Sequence, residues 1–590
     1  MNTKKKAGIR SLLPLLCIIS LLLAGCRPAA ELETAPEPLP YEPDTAPRSA
    51  VPPAERLLSY QVAGSGFYQM PDEQRFSTAL HAYNTCYFNQ IRDQLGVSYQ
   101  RPSCPSSSSI DTLSLVDLWH AVHAYRLDSL DPDAVQARLQ DIPAFAAAQT
   151  ALQADGLYDV YCILGVQDAL SLPLDDQIVQ QLSQLAFPWD GEDPVLFFGN
   201  VELFCRIQSE YSLSLPLPDI PSEGFSQYAA ALEQQMASGE LDILNIRAYF
   251  ALRGHYPAQC PDIEDSLFSY LETFQGPSGQ FSLLPYDEEN LFSIDIQSLA
   301  VALSLYQGQD RTFPVEPSAL LRQCMAFERT DLQFNSFEDL SSFPSLPFPS
   351  SYGLLTLFLL DGQTEQILPY LESSEGAESI RQSAHSNGGY RLWLMRLAGL
   401  DPSSSIPTLL DSFVQADFDG PDMGMQDVRN ATLHSLAILL QEAKVSQVEL
   451  SSEIKEGLVP ILRDLFSDSS LPEKYYRIYL LHQLDQGPAI DPDAFYQDAL
   501  ADIRGNGLGR LPTAYYLCYL IQQDEALAQA LPDAYRDALA ELLASLQNRF
   551  GFYSSPTMEG ELIATFAATY QGTYLQRLLD LDFPQDLWRS

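Results

Sequence analysis

The feature that most constrains this chain is a short loop that keeps returning. From Gln61 the sequence reads Q-V-A-G-S-G-F-Y, from Gln275 Q-G-P-S-G-Q-F-S, and from Gln547 Q-N-R-F-G-F-Y-S. Each is a Gln, a turn containing Gly, and an aromatic. Weaker copies occur at Asp155-Gly156-Leu157-Tyr158, Leu332-Gln333-Phe334, Asp417-Phe418-Asp419-Gly420 and Gly505-Asn506-Gly507-Leu508. After each clear loop the apolar residues fall at i, i+3, i+4 and i+7: Phe76, Ala79, Leu80 and Tyr83; Ile296, Leu299, Ala300 and Leu303; Ile563, Phe566, Ala567 and Tyr570. Leu433, Leu436, Ala437 and Leu440 repeat the spacing, as do Leu115, Leu118, Trp119 and Val122. That periodicity predicts one buried face of an α-helix. The recurrent Ala leaves room for a neighbouring helix.

The loop aromatics recur near multiples of about 45 residues, with two irregular intervals, and such a step houses two helices of about 12 to 15 residues with their turns. Alternating β-branched runs are nearly absent. The expected fold is all-α, an array of about twelve αα-hairpins from about residue 57 onward, in an N-terminal run (57–310) and a C-terminal run (311–590). Pro and Gly punctuation excludes a long coiled coil.

The loop followed by a helix with spaced Ala resembles the repeat of the prenyltransferase and squalene-cyclase (terpenoid cyclase-like) superfamily. The resemblance implies one or two α/α toroids, with inner helices around a cavity and Gly-aromatic loops at one rim. It transfers no activity by itself.

The N-terminus carries an address. Lys4, Lys5, Lys6 and Arg10 precede an apolar stretch from Leu12 to Leu23, too short for a span of about 20 residues but right for a secretory signal. It ends Leu23-Ala24-Gly25-Cys26, which resembles the bacterial lipoprotein lipobox. The expectation is a signal peptide over 1–25, lipidation of Cys26, and a Pro- and Glu-rich tether over 26–56 that stays extended. That places the protein on the extracytoplasmic face of a bacterial cell membrane, held by its lipid anchor.

Lys and Arg number 33 against 77 Asp and Glu, a formal net charge of −44. With no basic patch beyond the signal, nucleic acid is excluded as a partner. Acyl chains, not charge, must hold such a chain to an anionic membrane. Beyond Cys17 and Cys26, the remaining cysteines form no C-x-x-C pair, so several read as buried small hydrophobes, and Cys86 with Cys104 is the pair open to a disulfide.

No complete catalytic motif is present. Terpene cyclases of the resembled superfamily use a D-x-D-D acid. Asp417-Phe418-Asp419-Gly420 is the nearest match and lacks the last carboxylate. Asp417, Asp419, Asp287 and Glu559 are the acids an enzyme reading would nominate. Asp287, Glu288 and Glu289 otherwise read as charge near a helix N-terminus. The superfamily's zinc set has no counterpart, so no cofactor or metal is expected. The one weak metal candidate is Asp117, His120 and His123, stepping by three along a helix, with a solvated polar face as the plainer reading. His385-Ser386-Asn387-Gly388-Gly389-Tyr390 reads as a loop between hairpins.

Three functions compete. The first is a non-catalytic module that binds an extracellular ligand or an envelope protein. The second is a carboxylate-dependent enzyme (cyclase or isomerase, lyase, or glycan-active hydrolase), and the third a structural repeat protein of the envelope. The first is favoured by the intact anchor and the missing catalytic set.

Overall fold

The computed structural model describes Ser49 and residues 51–587 except 63–64, 74–76, 105–106, 190, 277–278, 288–294, 336–342, 374–375, 377–383, 417, 419–424, 467–468, 506, 508, 558–560, 582 and 584–586. All of these belong to one compact unit, Pro43–Ser590. The fold is all-α, and one short two-stranded ribbon is found among the described residues.

In chain order the helices are α1 (Pro53–Leu58), α2 (Thr78–Gln94), α3 (Leu115–Ala124), α4 (Pro132–Asp141), α5 (Pro143–Thr150), α6 (Leu157–Ala169), α7 (Asp176–Gln184), α8 (Pro194–Glu210), α9 (Ser222–Ser238), α10 (Ile243–His255), α11 (Glu264–Leu271), α12 (Ile296–Gly308) and α13 (Pro317–Met325). They continue as α14 (Pro347–Asp361), α15 (Ile367–Glu372), α16 (Ala384–Leu397), α17 (Ile406–Val414), α18 (Gln426–Val445), α19 (Ser452–Pro460), α20 (Leu471–Gln483), α21 (Pro492–Arg504), α22 (Arg510–Gln523), α23 (Glu525–Gln529), α24 (Asp533–Leu546) and α25 (Phe566–Asp580). Strands β1 (Ser554–Pro556) and β2 (Leu562–Ala564) pair antiparallel before α25. Helix starts are set locally: Asp131-Pro132, Asp193-Pro194 and Asp491-Pro492 each combine an Asp cap with Pro in the first turn.

Two kinds of helix alternate. α7 buries only Ile178 and Leu182, and α13 only Leu320 and Cys324, a single stripe each. By contrast α12 buries Ser298 through Leu303 without a break, and α22 buries Ala514 through Ile521. A helix buried all round must have neighbours on every side. Contacts among the all-round helices close on themselves twice. α2 packs on α3, α3 on α6, α6 on α8, α8 on α10, α10 on α12, and α12 returns to α2. Likewise α14, α16, α18, α20, α22 and α25 follow one another, and α25 returns to α14. Single-stripe helices cover the outside: α9 on α8, α11 on α10, α17 on α16 and α18, α21 on α22, and α24 on α25.

The recurring loop has one geometry, used four times. Gln61 bridges Phe67, Gln275 bridges Phe281, Glu328 bridges Phe334 and Gln547 bridges Tyr553. In each, the amide after the first residue donates to the carbonyl just before the aromatic: Val62 to Gly66 (2.9 Å), Gly276 to Gln280 (2.9 Å), Arg329 to Gln333 (2.8 Å) and Asn548 to Phe552 (2.8 Å). The fifth residue of every loop is left-handed: Ser65 (φ 59°), Gly279 (φ 83°), Leu332 (φ 69°) and Gly551 (φ 79°). This explains the Gly in two copies and shows strain in the two that lack it. The aligned aromatic of the last loop is therefore Tyr553, not Phe552.

Each loop docks its aromatic on an inner helix, and two of them dock far from their sequence neighbours. Phe67 sits on α14, where Ser350 Oγ accepts from its amide (2.9 Å). The Phe334 amide donates to Thr85 Oγ1 of α2 (3.1 Å), and its ring stacks on Phe88 at 3.9 Å between centroids. Tyr553 packs on Gly572 of α25, where Thr569 Oγ1 donates to its carbonyl. Residues 53–56, expected in the extended tether, instead open the packed helix α1, and with 57–62 and 65–67, placed with the N-terminal run by sequence, they serve the second circuit, while 328–334 serve the first. From α1 onward the chain starts on the second circuit, runs through the whole of the first, and comes back.

Several expectations need correction. Asp155-Gly156 is a 3₁₀ turn into α6, leaving Tyr158 exposed, because no residue there adopts the left-handed turn. Ile563 lies in β2, so α25 starts after it; Phe76 lies outside the described residues. His385–Tyr390 is helical, not a loop: Gly389 lets α16 press against α18, where a Cβ would meet the Ser435 carbonyl at 2.9 Å. Cys86 and Cys104 form no disulfide with each other, Cys86 being buried.

The left-handed position yields a test. Ser65→Gly should raise stability by about 0.5–1 kcal/mol, because glycine removes the strain of a positive φ. Gly551→Ala should lower it by more than about 1 kcal/mol, since its Cβ would also meet Pro53 Cγ at 2.8 Å. Urea unfolding of both variants decides, and shifts of the same sign would refute the shared loop geometry.

Candidate functional site

The centres of the two circuits differ. In the first, all six inner helices contribute to one cavity of about 870 Å³. Its aromatic wall is Tyr87 of α2, Trp119 of α3, and Tyr158 and Tyr161 of α6. α8 supplies Glu202, Arg206 and Glu210, α10 supplies Arg247, Ala251 and His255, and α12 supplies Gln297, Ala300 and Ser304. The volume lies in the range of cavities that take drug-sized ligands.

Charge inside the cavity is ordered. Glu202, Arg206 and Glu210 stand at i, i+4 and i+8 and so share one face of α8. Arg206 grips Glu202 through two parallel bonds, Nε to Oε1 at 3.1 Å and an Nη to Oε2 at 2.7 Å, and lies over the Tyr161 ring. Burial opposes the Arg206 charge, but Glu202 overrides it and holds the proton more firmly than usual. Burial pushes the Glu210 carboxyl up, while the Tyr161 hydroxyl and both guanidinia pull it partly back. Arg247 is different. Its Nε is buried without a hydrogen-bond partner, and no carboxylate pairs with it among the described residues. Burial first, and then the Arg206 charge, work against its proton.

The second centre is filled. Tyr352, Tyr390, His434, Tyr476, Tyr515 and Tyr570, one from each inner helix, are all buried, and their rings meet edge to face around His434. The bonds fix the imidazole. Tyr476 donates its one proton to the Tyr516 carbonyl (3.0 Å), so at 2.7 Å His434 Nδ1 must be the donor to Tyr476. Nε2 is then the acceptor from Tyr515 (2.8 Å), and Tyr515 in turn accepts from Tyr570 (3.1 Å). Burial pushes the His434 pKa down to about 3.

Asp287 is exposed beside the Gln275 loop, and Asp417, Asp419, Glu559 and Cys26 lie outside the described residues. Of the metal candidates, Asp117 accepts from Ser114 Oγ at 2.6 Å and His123 Nδ1 bonds the Trp119 carbonyl at 2.7 Å. His120 faces inward, contrary to its expected polar face. It is buried against Tyr83, Tyr87 and Trp119, because an inner helix has no solvent side. No group of three His, Cys, Asp or Glu able to hold a metal occurs among the described residues. Sequence reasoning passed over Glu202, Arg206, Glu210 and Arg247. The available signal was a charged i, i+4, i+8 face, and a lone Arg, inside otherwise apolar helices.

The low pKa of His434 gives a pH signature. An unfolded His titrates near about 6.5, so between pH 6.5 and 3 the unfolded chain binds a proton that the folded chain refuses. Stability from this residue is complete above about pH 6.5 and falls by about 1.4 kcal/mol per unit below it. The stability advantage of wild type over His434→Gln should therefore shrink from pH 7 to pH 4 in urea titrations. A constant difference would contradict the buried neutral imidazole.

No protein-family model, no curated protein and no solved structure matches the chain.

Proposed function

We propose that this is a lipid-anchored extracytoplasmic binding protein, not an enzyme. In this reading Cys26 carries the acyl chains, the residues between Cys26 and α1 form the tether, and the two closed helix circuits are α/α toroids like those of the prenyltransferase and squalene-cyclase superfamily. The first toroid holds the ligand and the second, with its filled centre, is the rigid support. The observation that carries the reading is the cavity to which all six inner helices of the first circuit contribute, with aromatic, amide and charged walls.

Its carboxylates favour binding over catalysis. Acid and base partners in glycan hydrolysis stand about 5 to 10 Å apart across the substrate. Glu202 and Glu210 lie on one helix, about 12 Å apart along its axis, and Glu202 is committed to Arg206. No helix among the described residues is long and apolar enough to cross a membrane, so membrane attachment in this reading rests on Cys26.

Two variants test the two halves. Cys26→Ala should move the protein from the membrane fraction to the soluble fraction, and unchanged retention would refute the anchor. Ala251→Trp places an indole in the cavity one turn from Arg247. In a thermal-shift screen of small acids, amines and neutral sugars, compounds that stabilise wild type should lose their effect on Ala251→Trp. Compounds that stabilise both equally would place the binding site elsewhere.

A further inference from the structure

Resting on the binding reading, we propose that the cavity of the first circuit selects a monocarboxylate carried on a six-membered ring with an apolar face, with Arg247 receiving the carboxylate and the Tyr87, Tyr158 and Trp119 wall receiving the ring.

The case starts from scarcity. Acidic residues outnumber basic ones 77 to 33, so any Arg that needed a structural partner had carboxylates to choose from. Other guanidinia at buried carboxylates use them: Arg56 and Arg92 share Glu328, Arg206 holds Glu202, Arg396 holds Glu442 and Arg429 holds Glu473. Arg247 faces the cavity with no such partner among the described residues, and its neighbour Arg206 repels it. An unpaired charge so placed is costly unless a counter-ion completes it. The guanidinium fork matches a planar carboxylate through two parallel bonds.

Charge balance chooses the monoanion. Arg206 and Glu202 form a bonded pair and Glu210 acts on Arg247 only through space, so Arg247 is the cavity's cation without a bonded carboxylate, and one carboxylate completes it. A dianionic phosphate would bring an excess charge toward Glu202 and Glu210. The wall chooses the ring: an aromatic π-face or the C–H face of a pyranose packs on the aromatic side chains, while Asn245, Gln90 and Gln297 can bond its substituents. An aromatic acid and a sugar acid share this chemistry.

Isothermal titration of the full chain separates them. Benzoate and D-glucuronate are the two probes, benzamide and D-glucose their neutral counterparts, and inorganic phosphate the dianion. One of the carboxylates should bind wild type saturably, its neutral counterpart and phosphate at least tenfold more weakly, and Arg247→Gln should lose at least tenfold in affinity with its ligand-free melting temperature no lower than that of wild type. Arg247→Lys should recover part of the loss. Which probe saturates tells an aromatic acid from a sugar acid. Should Arg247→Gln not fold, Ala251→Trp, which keeps Arg247, must abolish the binding. The proposal is overturned if neither carboxylate saturates, if phosphate or the neutral probe binds as tightly, or if Arg247→Gln binds like wild type. If carboxylates fail while neutral compounds still stabilise wild type and not Ala251→Trp, this inference falls and the binding reading stands. If the screen does not distinguish wild type from Ala251→Trp, the binding reading falls as well.

Discussion

The structure depends on one buried carboxylate, Glu328, held between Arg56 at 2.9 Å and Arg92 at 2.7 Å. Three of the four recurring loops open on Gln, and this one opens on Glu because two guanidinia converge there. Burial alone would raise its pKa, but Arg92 and Arg56 outweigh burial and hold it below the usual carboxylate range. Arg56 belongs to α1, which packs on the second circuit, and Arg92 to α2 of the first. Removing one member of such a set leaves an uncompensated charge, a loss of about 3–5 kcal/mol. The ion triad therefore fixes the point where the chain passes between circuits.

Asp72 reinforces the crossing. It accepts from the amide and hydroxyl of Thr330 (2.8 and 2.6 Å), in the loop that serves the first circuit, and from the amide of Ala564 (3.0 Å), beside the second. Asn335 adds a bond to the Pro71 carbonyl at 2.7 Å. Because the loops are exchanged, neither circuit is complete without a segment that is distant in sequence. A break near residue 311 would separate α2 from the loop that docks on it, and α14 from Phe67.

The same packing rule produces opposite centres. Inner helices that point large aromatics at the axis fill it, as Tyr352, Tyr390, Tyr476, Tyr515 and Tyr570 do around His434. The hydroxyls of Tyr476, Tyr515 and Tyr570 are satisfied by the imidazole, by the Tyr516 carbonyl and by one another, so those polar atoms can be buried. The first circuit points small residues inward at Gly199, Ala251, Ala300 and Ser304 and charged ones at Glu202, Arg206 and Arg247, and space remains. That difference, not the fold, separates a filled centre from an open one.

Local patterns were enough to determine the helices, the loops and the all-α class, because capping, helical periodicity and a turn that favours glycine act over a few residues. Ile296, Leu299, Ala300 and Leu303 were legible as a buried face for that reason, and so were Leu433, Leu436, Ala437 and Leu440. The face of α2 was misjudged: its buried residues include His81, Thr85 and Asn89, polar side chains whose partners lie elsewhere in the chain. The cavity was not legible at all. Glu202, Arg206 and Arg247 look like ordinary surface charges until closure of six helices turns them inward, and Phe67 looks like the neighbour of α2 until it docks on Ser350. Only the tertiary structure decided which helix each loop serves and which centre stays open, because both depend on contacts between residues up to hundreds of positions apart.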